Sequence, residues 1–268
     1  MNIKFSTLLF ILTFSSSAYG QKVVWSRFKF GIQTSPTISW LKTDNPKIGQ
    51  NGFNTGLKLG ATADYYFLEN YALSTGIGFG FNQGGKLLHE TGGNFLANST
   101  LSENRYNAVT NSQSLPDQVN IRYHIQYVEA PIALKMRTDI SGEHLRAFAQ
   151  APIITIGVRT QARGDISSGK FETLLKENIK EDVNGLSLSW GLGGGVEYSY
   201  NQSTSLTAGI FYQRGFVDVT KDKNNYTIKQ IAGQSTPNDT SDDKFDPKVK
   251  ENSKAVLNAI SLRLGIIF

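Results

Sequence analysis

Hydrophobic and polar residues alternate with a period of two along most of the chain, a pattern that predicts β-strands rather than helices. The clearest case is LSLSWGLGGGVEYSY at residues 186–200. One face of this segment is bulky and apolar, and the other is almost entirely glycine and serine, with the single carboxylate of Glu197. Seven further segments alternate in the same way and complete a set of eight predicted strands: 28–40, 56–67, 71–81, 120–138, 145–158, 205–215 and 256–268.

Two of the predicted strands are irregular. Between 120 and 138 the apolar positions change phase near Glu129, and a one-residue shift of this kind predicts a β-bulge in the strand. Between 145 and 158, Pro152 is unfavourable in a paired strand, and it predicts a second bulge.

The connections between the strands alternate in length. Short segments at 68–70, 139–144 and 201–204 are interspersed with long polar segments at 41–55, 82–119, 159–185 and 216–255. This alternation is typical of outer-membrane barrels, which have short periplasmic turns and long extracellular loops. We therefore predict an all-β fold, an eight-stranded antiparallel transmembrane β-barrel with both termini in the periplasm.

The face rich in glycine and serine fits this barrel. The lumen of an eight-stranded barrel is only just wide enough to be filled by side chains, so small residues on the inner face relieve crowding while large ones face lipid. The alternative is a secreted, lipocalin-like barrel or sandwich with its apolar face inward. That fold would need an exterior of small residues, which is unfavourable for solubility.

The N-terminus predicts export. Lys4, a short apolar core and the small residues ending at Gly20 match a secretory signal peptide over residues 1–20, which leaves 21–268 as the barrel domain. No stretch of 18 or more apolar residues is present, so a transmembrane helix is not expected. Hydrophobic residues make up 39% of the chain and its mean hydropathy is −0.27, values typical of a soluble protein that a membrane barrel can also have. The net charge is +5, and the basic residues are scattered among acidic ones, so no nucleic-acid partner is expected.

Two segments carry a resemblance to a known family. GLKLGATADYYFLENYALSTGIGFGFNQGG (56–85) and IQYVEAPIALKMRT (125–138), with Tyr127, Glu129, Pro131 and Lys135, resemble motifs of the PorT-like outer-membrane β-barrel family of Bacteroidota. The terminal Phe268 is similar to the aromatic C-terminus that the barrel assembly machinery reads. The resemblance implies an outer-membrane location, outer-membrane lipid and the assembly machinery as partners, and for one member an association with secretion.

The strand phase also assigns candidate positions. A set of charged residues is predicted to point into the lumen. They form either a polar path for small solutes or a plug of salt bridges, and the plug is favoured. The first ion pair expected within the plug is Arg263 with Glu197 or Glu129. This set comprises Lys29, Lys58, Asp64, Glu129, Lys135, Glu197 and Arg263. Aromatic residues near strand ends are predicted to form interfacial girdles: Trp40, Tyr65, Tyr71, Trp190, Tyr198 and Tyr200.

No enzyme or metal signature stands out. The three histidines, His89, His124 and His144, are not at metal-ligand spacing, the chain has no cysteine, and no G-x-S-x-G motif is present. We therefore expect no cofactor and a non-enzymatic structural, interaction or secretion-accessory barrel that acts through its surface loops. The alternatives are a small-solute channel and a surface lipid hydrolase centred on His124.

Overall fold

Nine β-strands make up most of the computed structural model, which describes residues 27–93, 95–102, 115–141, 144–169, 171–201, 203–221 and 253–268. The predicted signal peptide and residues 222–252 of the last long connection lie outside the described residues. No helix in the described ranges is long and apolar enough to cross a membrane. The strands are β1 (Phe28–Thr43), β2 (Ile48–Leu68), β3 (Tyr71–His89), β4 (Val119–Ser141), β5 (Leu145–Ser168), β6 (Phe171–Asn178), β7 (Leu186–Ser199), β8 (Ser205–Gly215) and β9 (Ala255–Ile267).

Eight of these strands close into an antiparallel ring in the order β1-β2-β3-β4-β5-β7-β8-β9, with β9 paired back onto β1. β6 is added beside the ring and pairs with the part of β5 that lies beyond its pairing with β7. Closure gives every strand of the ring a partner on both sides, which is the condition for a sheet surrounded by lipid. The predicted eight-stranded antiparallel barrel is confirmed.

The barrel carries its large apolar side chains on the outside. These side chains remain between 38% and 64% exposed, whereas the residues that alternate with them are small or polar and face the lumen. Since lipid tails solvate such a surface and water does not, the exterior suits a bilayer. We call this surface the apolar belt; its members include Phe30, Ile32, Leu57, Leu59, Leu73, Ile77, Phe79, Ile132, Ile154, Ile156, Leu192, Val196, Leu206, Ile210, Leu262 and Leu264.

The glycine-rich face of β7 lines the lumen, as predicted. The Phe211 ring of β8 lies over Gly193 so closely that a Cβ at that position would overlap it. A Cβ at Gly209 would lie 3.1 Å from the same ring. The small face therefore makes room for large side chains that reach across the narrow interior.

Two of the predicted loops are largely strand. β1 and β2 continue through the segment 41–55 and meet at a tip of only residues 44–47, and β5 continues to Ser168. The strands extend beyond the apolar belt. In this extension the outward-facing residues are polar and the inward-facing residues are apolar, the reverse of the pattern within the belt. We call this end of the barrel the loop end, and the opposite end, where residues 69–70, 142–144 and 200–204 connect the strands, the turn end.

The bulge predicted within β4 near Glu129 is wrong. Odd-numbered residues of β4 face inward from Val119 to Arg137 without a change of phase. Only their chemistry changes: they are apolar up to Tyr127, and charged side chains enter from Glu129 onward, at Glu129, Lys135 and Arg137. The extra residues lie on the neighbouring strands, on β3 between Gly80 and Gln83 and on β5 opposite Gln126 and Tyr127. The bulge predicted at Pro152 is confirmed by the register shift between Gln150 and Ile153.

A hydrophobic core fills the interior at the loop end. Inward residues of the long strands pack there against the β3–β4 connection, the β6–β7 connection and the segment after β8, and each is at most 5% exposed. We call this core the apolar cap; it comprises Leu41, Ile48, Leu87, Phe95, Leu96, Leu115, Val119, Ile121, Tyr123, Ile125, Tyr127, Ala162, Ile166, Leu174, Ile179, Val183, Val219 and Ala255.

Candidate functional site: a filled lumen and a capped mouth

The lumen nearest the turn end holds a buried charge cluster. Lys135 Nζ lies 2.8 Å from Asp64 Oδ2 and 3.3 Å from Glu197 Oε2, and Arg137 Nη1 lies 3.6 Å from Glu197 Oε1. Ser74 donates a hydrogen bond of 2.6 Å to the other oxygen of Asp64. Two cations and two carboxylates therefore balance one another in a region where an unpaired charge would be costly. We call these four charged residues the lower charge cluster.

A second ion pair crosses the lumen closer to the loop end. Lys58 Nζ donates to both carboxylate oxygens of Glu129, at 3.0 and 2.8 Å, and to Gln213 Oε1 at 2.8 Å. The amide of Gln213 in turn donates to Ser189 Oγ at 2.9 Å. Strands β2, β4, β8 and β7 are thus joined through the middle of the barrel rather than only along its wall.

Arg263 lies between these two layers, and its contacts differ from the expected ones. Its guanidinium stacks on the Phe211 ring at 3.6 Å and donates to Gln150 Oε1 at 2.8 Å. No ion pair within 4 Å joins it to Glu197 or Glu129, so the expected pairing is not observed. Gly193 and Gly209 leave room for the Phe211 ring, and this ring supports the guanidinium.

Lys29 belongs to none of these clusters. Its ammonium lies 5.7 Å from the centre of the Tyr66 ring, and it makes no ion pair with a described residue. Conversely, Arg137 belongs to the lower charge cluster but is missing from the predicted set. Arg137 lies two residues after Lys135, so the period of two that places Lys135 in the lumen also places Arg137 there.

The layers leave little open space. Cavities of about 50 and about 30 Å³ lie among the described residues of the layers, and Arg263 lines both. Since a cavity needs about 10–15 Å³ of such space to hold one water, these volumes suit a few waters rather than a continuous path.

Polar contacts tie the β3–β4 connection over the loop end. Asp182, in a short 3₁₀ helix, accepts hydrogen bonds from the backbone and side chain of Asn98, at 3.0 and 2.8 Å, and from the Ser99 hydroxyl. Glu177 of β6 accepts from the backbone N–H and hydroxyl of Ser102. These buried carboxylates are satisfied by donors of the connection, so they hold it against the apolar cap.

His89 lies at the edge of the apolar cap without a polar partner. Its ring packs on Phe95 with the ring centres 4.1 Å apart, it is 4% exposed, and neither ring nitrogen has a hydrogen-bond partner among the described residues. Burial lowers the pKa of His89 from 6.5 to about 3, because the imidazolium would lose its hydration. The cap therefore contains a neutral histidine.

His124 is on the outer surface of β4 near the loop end. Its Nε2 lies 2.9 Å from Asp165 Oδ2 and its Nδ1 lies 2.5 Å from Asn82 Oδ1. A hydrolase of the serine type needs one ring nitrogen for the nucleophile, and both nitrogens here already have other partners. His144 is exposed at the turn end, 6.3 Å from the Tyr198 ring. The described residues contain no group of three or more His, Cys, Asp and Glu that could hold a metal ion.

The candidate girdle residues all point outward. Four tyrosines lie at the turn end, where Tyr198 and Tyr200 are 47% and 72% exposed. The two tryptophans lie toward the loop end and are half-buried, and Trp190 packs edge-on against Tyr212 at 6.3 Å. Phe268 is exposed at the turn end, where its backbone forms two hydrogen bonds with Phe30. The four girdle tyrosines are Tyr65, Tyr71, Tyr198 and Tyr200, and the two girdle tryptophans are Trp40 and Trp190.

Comparison with protein families decides the family of this barrel. A family model described as the outer membrane protein beta-barrel domain matches residues 14–221. The chain belongs to this family. This family assignment places the chain in the outer membrane, and the apolar belt is consistent with that location. A search of curated proteins finds no match.

Solved outer-membrane barrels share low sequence identity with the chain. Neisserial surface protein A is 11% identical, with 90% of this chain and 96% of that one covered and a TM-score of 0.38. OprG from Pseudomonas aeruginosa is 8% identical (89% and 95% covered, TM-score 0.40), and Ail, the attachment invasion locus protein of Yersinia pestis, is 12% identical (90% and 98% covered, TM-score 0.33). Likeness at this level does not extend to function.

Proposed function

We propose that this protein is a closed, non-enzymatic outer-membrane barrel that acts through the surface of its loop end, as a structural, interaction or secretion-accessory component. The observation that carries the proposal is the double closure of the interior. The lower charge cluster and the Lys58–Glu129 pair cross the lumen, and the apolar cap fills its mouth. An interior used as a solute path would need open, hydrated space instead.

The finer assignments rest on sequence. The motifs at 56–85 and 125–138 support a place in the PorT-like branch of the family, and that branch includes a component associated with secretion. Outer-membrane lipid is the partner expected of the apolar belt, and Phe268 is proposed as the signal for the barrel assembly machinery. Secretion-system or surface proteins are proposed as partners of the loop end, because its strands and connections extend beyond the apolar belt.

Conductance in planar lipid bilayers tests the proposal. We expect no stepwise ion currents from the purified, folded barrel, with folding checked by a mobility difference between boiled and unboiled samples on a gel. A second preparation, in which Lys135 and Arg137 are both replaced by Ala, is expected to stay closed as well, because the Lys58–Glu129 pair and the apolar cap remain. Regular channel openings of the unmodified barrel would favour the small-solute channel and contradict a closed interior.

A genetic test separates the lumen from the loop end. In cells lacking the protein, we expect a variant with Lys58→Met and Glu129→Met to restore the wild-type surface-protein profile, because this pair only fills the lumen. A variant with Asp182→Ala and Glu177→Ala, which releases the β3–β4 connection, is expected to fail. The opposite result would assign the function to the lumen.

A further inference from the structure

The outward faces of β3, β4 and β5 become basic just beyond the apolar belt. On β4 the outward residues run from Val128 through Gln126 and His124 to Arg122, and Lys86 and Arg163 lie beside them on β3 and β5. We call Lys86, Arg122, His124 and Arg163 the basic patch.

The strand register brings these basic side chains together. Lys86 lies directly opposite Arg122 across the β3–β4 pair, and His124 lies opposite Arg163 across the β4–β5 pair. Like charges directly opposite each other, here Lys86 and Arg122, destabilise a sheet. The arrangement is therefore unfavourable unless an anion lies between the cations.

Among the described residues, the barrel supplies one carboxylate at this point, that of Asp165. Lys86 and Arg122 make no hydrogen bond and no ion pair within 4 Å with any described residue. Asp165 faces Arg122 in register, yet its oxygens accept from His124 Nε2 at 2.9 Å and from the Lys176 N–H at 2.8 Å. Three permanent cations thus surround one carboxylate that is already engaged.

Arg163 is oriented without being neutralised. In the amide orientation that satisfies both groups, the Gln161 carbonyl oxygen accepts from Arg163 Nε at 2.9 Å and Nη2 at 3.2 Å. A neutral amide fixes the guanidinium plane but leaves its charge in place, and a fixed plane suits two-pronged binding of a phosphate.

The neighbouring strand indicates the depth of the basic patch relative to the bilayer. Phe53 of β2 pairs with Gly85, next to Lys86, and its ring is 57% exposed on the outer surface. An exposed aromatic ring beside cations at the edge of an apolar belt is typical of the membrane–water interface. The anions at that depth are lipid headgroups rather than solutes.

We propose that the basic patch binds the phosphate of a lipid headgroup in the leaflet that surrounds the loop end. Arg122 and Lys86 take the phosphate from two sides, and Arg163 extends the site along the membrane surface. The lipid tails then lie on the apolar belt below Phe53. This site is separate from the closed lumen and does not depend on it.

Native mass spectrometry of the intact barrel in detergent tests the site. The probe is monophosphoryl lipid A, and the same lipid after chemical dephosphorylation is its comparison. We expect the phosphorylated probe to be retained, and the triple variant Lys86→Gln, Arg122→Gln, Arg163→Gln to bind it about tenfold more weakly or worse. The matched control removes three exposed cations elsewhere at the loop end, by Lys42→Gln, Arg214→Gln and Lys254→Gln, and is expected to stay within about twofold of the wild type.

Three results would overturn the proposal. Equal retention of the dephosphorylated lipid would show that the tails alone bind. Equal weakening by both triple variants would show a general charge effect. Displacement of the probe by millimolar inorganic phosphate would assign the site to a free anion. If the triple variant does not show the gel mobility of a folded barrel, Arg122→Gln alone is measured, with about threefold weakening expected and Arg214→Gln as its control.

Discussion

At Gly193 the absence of a side chain leaves room for the Phe211 ring, which supports the Arg263 guanidinium at 3.6 Å. Gly193→Ala would force the ring away from the wall, and overpacking of this kind costs about 1–3 kcal/mol of stability. The expected result is a lower midpoint of urea unfolding, where unfolding is monitored by the fraction of barrel that keeps the gel mobility of the folded form. Gly49→Ala is the control, since nothing lies within 4 Å of a Cβ there. Equal losses in the two variants would contradict the packing argument.

Lys135 is the cation on which the lower charge cluster depends. Lys135→Met would leave Asp64 and Glu197 buried without their shared partner, and breaking a buried ion pair in this way costs about 3–5 kcal/mol. The urea midpoint is expected to fall accordingly. Lys58→Met is the matched control and is expected to cost less, because its partner Glu129 keeps 15% of its side chain exposed. A larger loss at Lys58 would show that the lower cluster is not the principal closure.

At the scale of elements, the β3–β4 connection is expected to loosen in acid because of His89. The closed cap holds this histidine neutral, with a pKa of about 3, whereas an opened cap returns it to 6.5. The open form therefore binds more protons between these values. Cap stability is complete above about pH 6.5 and falls by about 1.4 kcal/mol per pH unit as the pH drops toward 3.

Hydrogen exchange measures this loosening directly. The amides of Gly93 and Leu115 bond to each other's carbonyls at 2.9 and 2.8 Å and report opening of the connection. After correction for intrinsic rates, we expect their protection to decrease between about pH 6.5 and 5, a range above that of ordinary carboxyls. His89→Phe keeps the contact with Phe95 and is expected to make protection independent of pH there. Protection that falls equally in the variant would rule out His89 as the cause.

The strands in the apolar belt were predictable, and the elements beyond it were not. In β7 the outward apolar and inward small residues alternate clearly, because lipid on one side and a crowded lumen on the other impose opposite chemistry. In β4 the inward face is apolar from Val119 to Tyr127 and carries three charges beyond that, at Glu129, Lys135 and Arg137, although the backbone keeps its phase. A sequence pattern shows only which positions are apolar. When the apolar face of a strand changes from inward to outward along its length, the pattern therefore looks like a one-residue bulge.

The lumen partners were predictable as a set but not as pairs. Alternation determines which charges face inward, and it placed Lys58, Asp64, Glu129 and Lys135 there. The choice among partners depends on height and angle around the ring, which follow from the stagger of eight strands. Arg263 shows the consequence, since its guanidinium stacks on the Phe211 ring and donates to Gln150 instead of pairing with a carboxylate.

For the whole molecule, the two closures are in series, and this makes a distinctive prediction for conductance. Leu96→Asp places a charge in the apolar cap and is expected to open the mouth. The lumen variant replaces both partners of each ion-pair layer by Ser, at Lys58, Glu129, Asp64, Lys135, Arg137 and Glu197, so that no unpaired charge of these layers is left behind. Either change alone leaves the other barrier, so we expect no channel openings from the cap variant or the lumen variant. The combined variant is expected to conduct in planar bilayers, provided that it keeps folded gel mobility. If the cap variant alone conducts as well as the combination, the cap is the only barrier and the charge layers serve stability rather than closure.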